Sequence, residues 1–160
     1  MRFKTEKDLE KYLRHLIKVN IASRHSDIYL LESKKTVDIV ICRDGDRPAL
    51  FFLELKLCRP NIRIPIGTGN GTGYQPEIVT LNPTYLESNL RWVLVNSEEL
   101  KTPYLFVPTS TVKRHLAGGG IGEKYNNIQR EIFRLEPTLT EAALVDSMVD
   151  WLLKPNVPSI

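Results

Sequence analysis

Residues 50–57, Leu-Phe-Phe-Leu-Glu-Leu-Lys-Leu, constrain this chain more than any other stretch. The run is apolar, rich in aromatics and of strand length, and only Glu54 and Lys56 interrupt it. Side chains alternate across a strand, so those two charges point to the same face. Charges inside a buried strand are expensive unless they pair with each other or bind something. The preceding run, Val37-Asp38-Ile39-Val40-Ile41-Cys42, repeats the oddity with one acid, Asp38. The bland explanation is a buried structural ion pair, an arrangement that rarely adds stability.

Spacing alone does not carry the signal. Glu-x-Lys occurs three times, at Glu32-Ser33-Lys34, Glu54-Leu55-Lys56 and Glu99-Leu100-Lys101. The first lies in a polar stretch that reads as a hairpin turn, and the third lies at a helix end. Both read as solvated charges. Only Glu54 and Lys56 sit within an apolar strand that follows another strand bearing an acid.

An acid on one buried strand, then an acid and a lysine on the next, is the layout of a metal-dependent phosphodiesterase site. A phosphodiester is shielded by its own negative charge. Mg²⁺ prefers oxygen ligands in octahedral geometry, and Asp38 and Glu54 can supply two. The ion lowers the pKa of a bound water and neutralises charge building on the phosphate. Lys56 would orient or activate the water and contact the phosphate. An ammonium beside two carboxylates is stabilised as a cation, so it is suited to positioning rather than to proton abstraction.

The 160 residues are read as one domain, long enough to bury roughly 70% of the unfolded surface. No apolar run approaches the ~18 residues of a membrane span. The charged start, Met-Arg-Phe-Lys-Thr-Glu-Lys-Asp, lacks the apolar centre of a signal peptide. Cys42 and Cys58 read as buried thiols in strands, without a disulfide framework or zinc spacing. The expected compartment is the cytoplasm. The net charge of +3 permits nucleic-acid binding without demanding it. Arg59, Arg63 and Arg91 come nearest to a basic patch, with Lys113-Arg114-His115 further on; each also reads as an ordinary surface cation. His15, His25 and His115 are scattered, and no Ser-His-Asp arrangement is legible.

The element order follows from caps and periodicity. Thr5 caps a first helix with Asp8 reaching back, and Leu9, Leu13, Leu16 and Ile17 form its apolar stripe. Glu6 and Glu10 lie at the edge of that stripe. Residues 27–31 read as a short strand, Ser33-Lys34-Lys35 as a turn, 37–42 and 50–57 as strands, and Asp44-Gly45-Asp46 as the turn between them. Residues 59–82 read as loop. Asn82-Pro83 starts a second helix, its stripe being Leu86, Leu90, Val93 and Leu94, although Trp92–Val95 has strand character. A strand at 104–108 follows. Ser110 is expected to cap a short helix ending at Gly118-Gly119-Gly120, and residues 123–135 to form another. Thr138 with Glu141 makes a capping box for a last helix with the stripe Ala142, Val145, Met148, Val149 and Leu152.

Helix, three strands, helix, strand, with Asp38 on the second strand and Glu54-Leu55-Lys56 on the third, resembles the PD-(D/E)xK, or restriction-endonuclease-like, nucleases. The resemblance covers about residues 5–108, with Val37 standing where the family name has proline. It implies an α/β fold with an αβββαβ core, a central mixed sheet flanked by helices, and a C-terminal helical extension over about 109–160. It implies Mg²⁺, for which Mn²⁺ can substitute, held by Asp38, Glu54 and the backbone carbonyl of Leu55. It also implies an acid from the first helix, with Glu10 the candidate and Glu6 its rival. Gln75 stands where some relatives place a helper glutamine.

The segment Gly67-Thr68-Gly69-Asn70-Gly71-Thr72-Gly73-Tyr74-Gln75 offers backbone amides that can cradle phosphate. It lacks the Gly-Lys-Ser/Thr ending of a nucleotide-binding P-loop. It is expected to order over the metal site on DNA, with Gly71 and Gly73 as contacts beside Arg59, Arg63 and Arg91. A plain surface loop is the alternative. The expected function is therefore a Mg²⁺-dependent DNA endonuclease, of restriction type first, and of repair or Holliday-junction type next. The reading from another class is a nucleic-acid-binding module without catalysis. Double-strand cleavage most simply needs two protomers, so a homodimer through residues beyond 108 is expected, with Trp151 and Leu152 as candidate contacts.

Overall fold

A computed structural model describes residues 3–32, 37–66, 83–117 and 127–154. The chain begins with helix α1 (Glu6–Ile17), which a π-helical turn (Lys18–Ala22) extends. Thr5 and Asp8 form the expected reciprocal capping box, and Leu9, Leu13, Leu16 and Ile17 are the buried face. Strands β1 (Ile28–Leu31), β2 (Ile39–Arg43) and β3 (Ala49–Cys58) follow, with Gly45 at φ 97° in the turn before β3. Helix α2 (Pro83–Asn89) leads directly into strand β4 (Leu90–Asn96), and β5 (Tyr104–Val107) completes the sheet.

The fold is α/β, with a five-stranded mixed sheet in the order β1-β2-β3-β4-β5. Only β3 and β4 run parallel; the other neighbours are antiparallel. Beyond the sheet lie α3 (Thr109–Arg114), a small ladder of β6 (Leu116–Ala117) and β7 (Asn127–Ile128), α4 (Ile132–Leu135) and α5 (Glu141–Leu152).

Alternation along β3 divides the core in two. Phe51, Leu53 and Leu55 face α1 and α5, in a cluster with Leu9, Leu13, Met148 and Trp151. Phe52 and Cys58 face the other way, towards Trp92, Leu94, Val112, Ile128 and Ile132. Each fully buried aliphatic or aromatic side chain contributes about 1.5–3 kcal/mol, so both layers support the central strand. Glu54 and Lys56 fall by alternation in the second layer.

Four expectations are corrected. The second helix stops at Asn89, and Leu90–Asn96 is a strand buried on both faces. Its apolar positions have no alternation to betray it, as is usual where a strand pairs in parallel. Ser110 lies inside α3, whose cap position is Pro108, and residues 116–117 are strand. Within 123–135, residues 127–128 are strand and only Ile132–Leu135 is helical. The last helix is capped by Thr140, whose hydroxyl accepts from the Ala143 amide, and its buried residues are Leu144, Met148, Trp151 and Leu152. Thr138 instead donates to Thr102 Oγ1 at 3.2 Å.

Trp151 and Leu152 are 6% and 0% exposed. The Trp151 ring packs edge-on against Phe51 and Phe106, at 4.9 and 5.4 Å between centroids, and its Nε1 donates to the Ser88 carbonyl at 2.7 Å. Both residues belong to the protein's own core, so the two named dimer contacts do not stand. Among the described residues, no helix is long and apolar enough to cross a membrane.

Candidate functional site

Strand β3 outruns its neighbour. The β2–β3 ladder pairs Ile39 with Leu53 and ends there, while β3 continues to Cys58 alongside β4. One further step in that register sets Asp38 opposite Glu54, on the same side of the sheet. Asp38 turns its Oδ2 to accept the Leu55 amide at 2.7 Å, and Glu6 Oε1 accepts the Leu57 amide at 3.3 Å. Two carboxylates thus take the ladder bonds that β2 no longer supplies. In such a ladder a residue's N–H and C=O point to the same neighbour, so the Leu55 carbonyl faces this acidic edge too.

The buried charges are not an ion pair. Glu54 is 4% exposed and Lys56 6% exposed. Among the described residues, no carboxylate lies within 4.0 Å of the Lys56 ammonium, and the Glu54 carboxyl makes no hydrogen bond. In register, β4 sets Trp92 beside Glu54 and Leu94 beside Lys56. Burial, and then the charge of Asp38, push the Glu54 carboxyl up to about 8. The Asp38 carboxyl is also raised, chiefly by burial, against the lowering effect of the Leu55 amide. The charge of Lys56 pulls both carboxyls down, but by less than burial raises them, so Glu54 stays protonated at neutral pH.

Helix α1 delivers a row of charged groups to the same place. Glu6, Glu10 and Arg14 recur every four residues, which stacks them along one line of a helix. Arg14 Nη2 donates to the Asp38 carbonyl at 3.0 Å, and its Nε lies 3.5 Å from Glu10 Oε2. The charge of Glu6 raises both Asp38 and Glu54, while that of Glu10 bears on Asp38 alone among those two. Glu6 is therefore the first-helix acid with the stronger hold on the site, and Glu10 is engaged by Arg14. The four-residue recurrence is visible in the sequence and would have brought Arg14 in.

The other expected residues divide. Arg59 follows β3 and its carbonyl accepts from Arg130, and Arg63 is exposed in the segment beyond. Arg91 is on the wrong face: it pairs in register with Leu53, its Nη1 donates to the Glu87 and Leu90 carbonyls at 2.7 and 3.0 Å, and it lies 5.5 Å over Trp151. It is therefore not brought together with Glu54. Gly71, Gly73 and Gln75 lie outside the described residues. In the basic triplet, Arg114 and His115 both reach Glu136, at 3.4 and 2.9 Å. Burial pushes the Cys58 thiol up to about 12, which keeps it protonated and weakly nucleophilic at neutral pH.

No group of three or more His, Cys, Asp and Glu side chains is arranged to hold a metal ion among the described residues. Mg²⁺ keeps several waters and needs only one or two carboxylates. Asp38, Glu54 and the Leu55 carbonyl are a donor set of that kind. No protein family, curated protein or solved structure matches the chain.

Proposed function

We propose that this protein is a Mg²⁺-dependent DNA endonuclease of the restriction-endonuclease-like, PD-(D/E)xK kind. The observation that carries the reading is a buried acid and a buried lysine, Glu54 and Lys56, on one face of β3, with Asp38 beside Glu54 on that face and no ion pair within 4.0 Å between Glu54 and Lys56. The element order α1-β1-β2-β3-α2-β4, with β3 and β4 parallel, supports it as the αβββαβ core. A restriction-type enzyme is the leading subclass, and a repair or junction nuclease comes next.

Asp38, Glu54 and the Leu55 carbonyl would hold the ion. Mg²⁺ supplies a water of lowered pKa and neutralises charge on the phosphate. Lys56, two residues on and on the Glu54 face, would place its ammonium against a phosphate oxygen. There the low local dielectric strengthens its attraction for the developing charge. Water oxygen would add to phosphorus as the bond to the leaving oxygen breaks, with the water's proton passing to solvent near exposed Glu6 and the leaving oxygen taking a proton from solvent. Ionisation of Glu54 accompanies loading, because a ligand carboxyl must lose its proton.

One observation favours a second reading. Asp38 Oδ2 is already engaged by the Leu55 amide, which suits a non-catalytic nucleic-acid-binding module whose acids close a strand edge. Incubation with plasmid, linear, single-stranded and branched DNA, with and without Mg²⁺, separates the two. Metal-dependent cleavage that disappears in Lys56→Met supports the enzyme. Retention of DNA without cleavage, in either Mg²⁺ or Mn²⁺, supports the module.

A further inference from the structure

A groove of about 380 Å³ lies between α1 and the end of β1. Lys11, Arg14, His15 and Lys18 line it from the helix side. Their spacing of three, four and seven residues puts them on one stripe, while Leu13, Leu16 and Ile17 face the core. Among the described lining residues Glu32 is the one carboxylate, and Arg14 also pairs with Glu10 at 3.5 Å, so Lys11 and Lys18 are the permanent cations left to the groove. Lys11, His15 and Lys18 are exposed, whereas Arg14 is half-buried and fastened to the Asp38 carbonyl at 3.0 Å.

We propose that this groove is the track for the DNA backbone, leading one strand past Arg14 to Asp38. The inference rests on the nuclease reading for its choice of DNA as the polyanion. Three features argue for it over chance surface charge. The cations share one face, they line a concave surface, and the groove joins the acidic edge through a direct hydrogen bond. Lys11 and Lys18 are seven residues apart, or about 10 Å along a helix rising 1.5 Å per residue. Successive phosphates of one strand advance about 3.4 Å along the duplex axis, so the stripe matches roughly three of them. Charges that touch phosphates position a duplex without reading its sequence. Arg14 would then have two contacts, phosphate on its groove side and the Asp38 backbone on the other, and so would hold the strand in register with the acids.

The test is fluorescence-anisotropy binding of labelled duplexes of several sequences, in Ca²⁺, across a salt series. Lys11→Glu with Lys18→Glu is expected to weaken binding at least about tenfold, equally for every sequence, and to flatten the log–log salt slope by about 2, one unit per lost phosphate contact. Lys11→Gln with Lys18→Gln avoids new acids near the helix end and is expected to give the same slope change with a smaller loss. Lys101→Glu with Lys154→Glu alters net charge equally, at exposed residues outside the groove, and should stay within about twofold of wild type. Wild-type binding in both groove variants would overturn the proposal, as would equal losses in the groove and control variants. Displacement of DNA by polyaspartate of matched charge, as readily as by unlabelled DNA, would also overturn it in favour of an acidic polypeptide. Cleavage in Mg²⁺ is scored separately. A protein that binds through the groove but cuts nothing removes the nuclease reading and leaves the groove standing.

Discussion

Arg43 and Lys56 are equally buried cations, each 6% exposed, on adjacent strands of one sheet. Their surroundings are opposites. Arg43 Nη1 donates to the Leu152 and Lys154 carbonyls at 2.7 and 2.9 Å, and its Nε donates to the Arg47 carbonyl at 2.9 Å. Its guanidinium also lies 5.4 Å from the centre of the Phe51 ring. Leu152 is the last residue of α5 and Lys154 lies two residues beyond it, so the cation sits at the negative end of the helix dipole. Lys56 has no such carbonyls and no carboxylate within 4.0 Å among the described residues. A buried cation whose donors are all placed locks two elements together. One that feels two carboxyls only at longer range, with no hydrogen bond or ion pair within 4.0 Å, has its burial poorly offset, and such costs gather at functional sites.

That contrast can be broken at several points. The largest expected effect is on cleavage: Lys56→Met and Asp38→Asn should each reduce metal-dependent cleavage at least ~1000-fold, equivalent to about 4 kcal/mol of barrier. Initial rates on plasmid check it, and a loss under tenfold in either variant would remove the proposed chemistry. Arg43→Met comes next. It strands the α5 carbonyls and should lower unfolding free energy by about 3 kcal/mol, read as a fall in the urea midpoint at constant slope. Lys56→Met should leave that midpoint equal to wild type or above it, since removing a buried unpaired charge relieves desolvation. If Lys56→Met is as damaging as Arg43→Met, the two cations have the same structural role.

A third effect is pH dependence. The Glu54 carboxyl moves from the ordinary 4.5 up to about 8. Between those values the unfolded chain has released its proton and the folded chain keeps it. Stability from this group is therefore complete below pH 4.5 and is lost as pH rises through about 8. Glu54→Gln should lack that decline and be the more stable protein at pH 9, as urea titrations at several pH values would measure. Metal runs the other way: apparent Mg²⁺ affinity by calorimetry should climb about tenfold per unit until pH 8, because binding displaces the proton. The smallest effect belongs to Glu6→Gln. Its amide oxygen can still accept from Leu57, so stability should change by less than about 1 kcal/mol and cleavage by less than tenfold. A loss matching that of Asp38→Asn would instead make Glu6 a direct participant.

The parts of this molecule that were legible in the sequence are those where one local signal dominates. Thr5 with Asp8 announced α1, and an apolar run bearing Glu54 and Lys56 announced β3. The order through β3 and the face shared by Asp38 and Glu54 followed from alternation. The signals failed where two periods coincide. Leu86, Leu90, Val93 and Leu94 fit a helix, yet residues 90–96 are a doubly buried strand. Thr138 and Thr140 both precede α5, and only the tertiary bridge between Tyr104 and Leu139 leaves Thr140 at the helix start. Arg91 illustrates the same limit: its face depends on the register with β3, which local sequence does not encode. The link from Arg14 to the Asp38 backbone is likewise a long-range fact.

The overhang of β3 beyond β2 has a consequence for solution behaviour. An unpaired stretch of backbone on a sheet edge is a template on which a foreign strand can add. Here the amides of Leu55 and Leu57 are occupied by carboxylates, and an incoming chain would have to displace two acids to reach them. Asp38 and Glu6 thus occupy the two amides that such a strand would need. An alanine at position 38 would reopen one rung, whereas asparagine keeps an acceptor there. Asparagine is thus the safer way to remove the charge, and any aggregation confined to the alanine variant would report on the edge rather than on the chemistry.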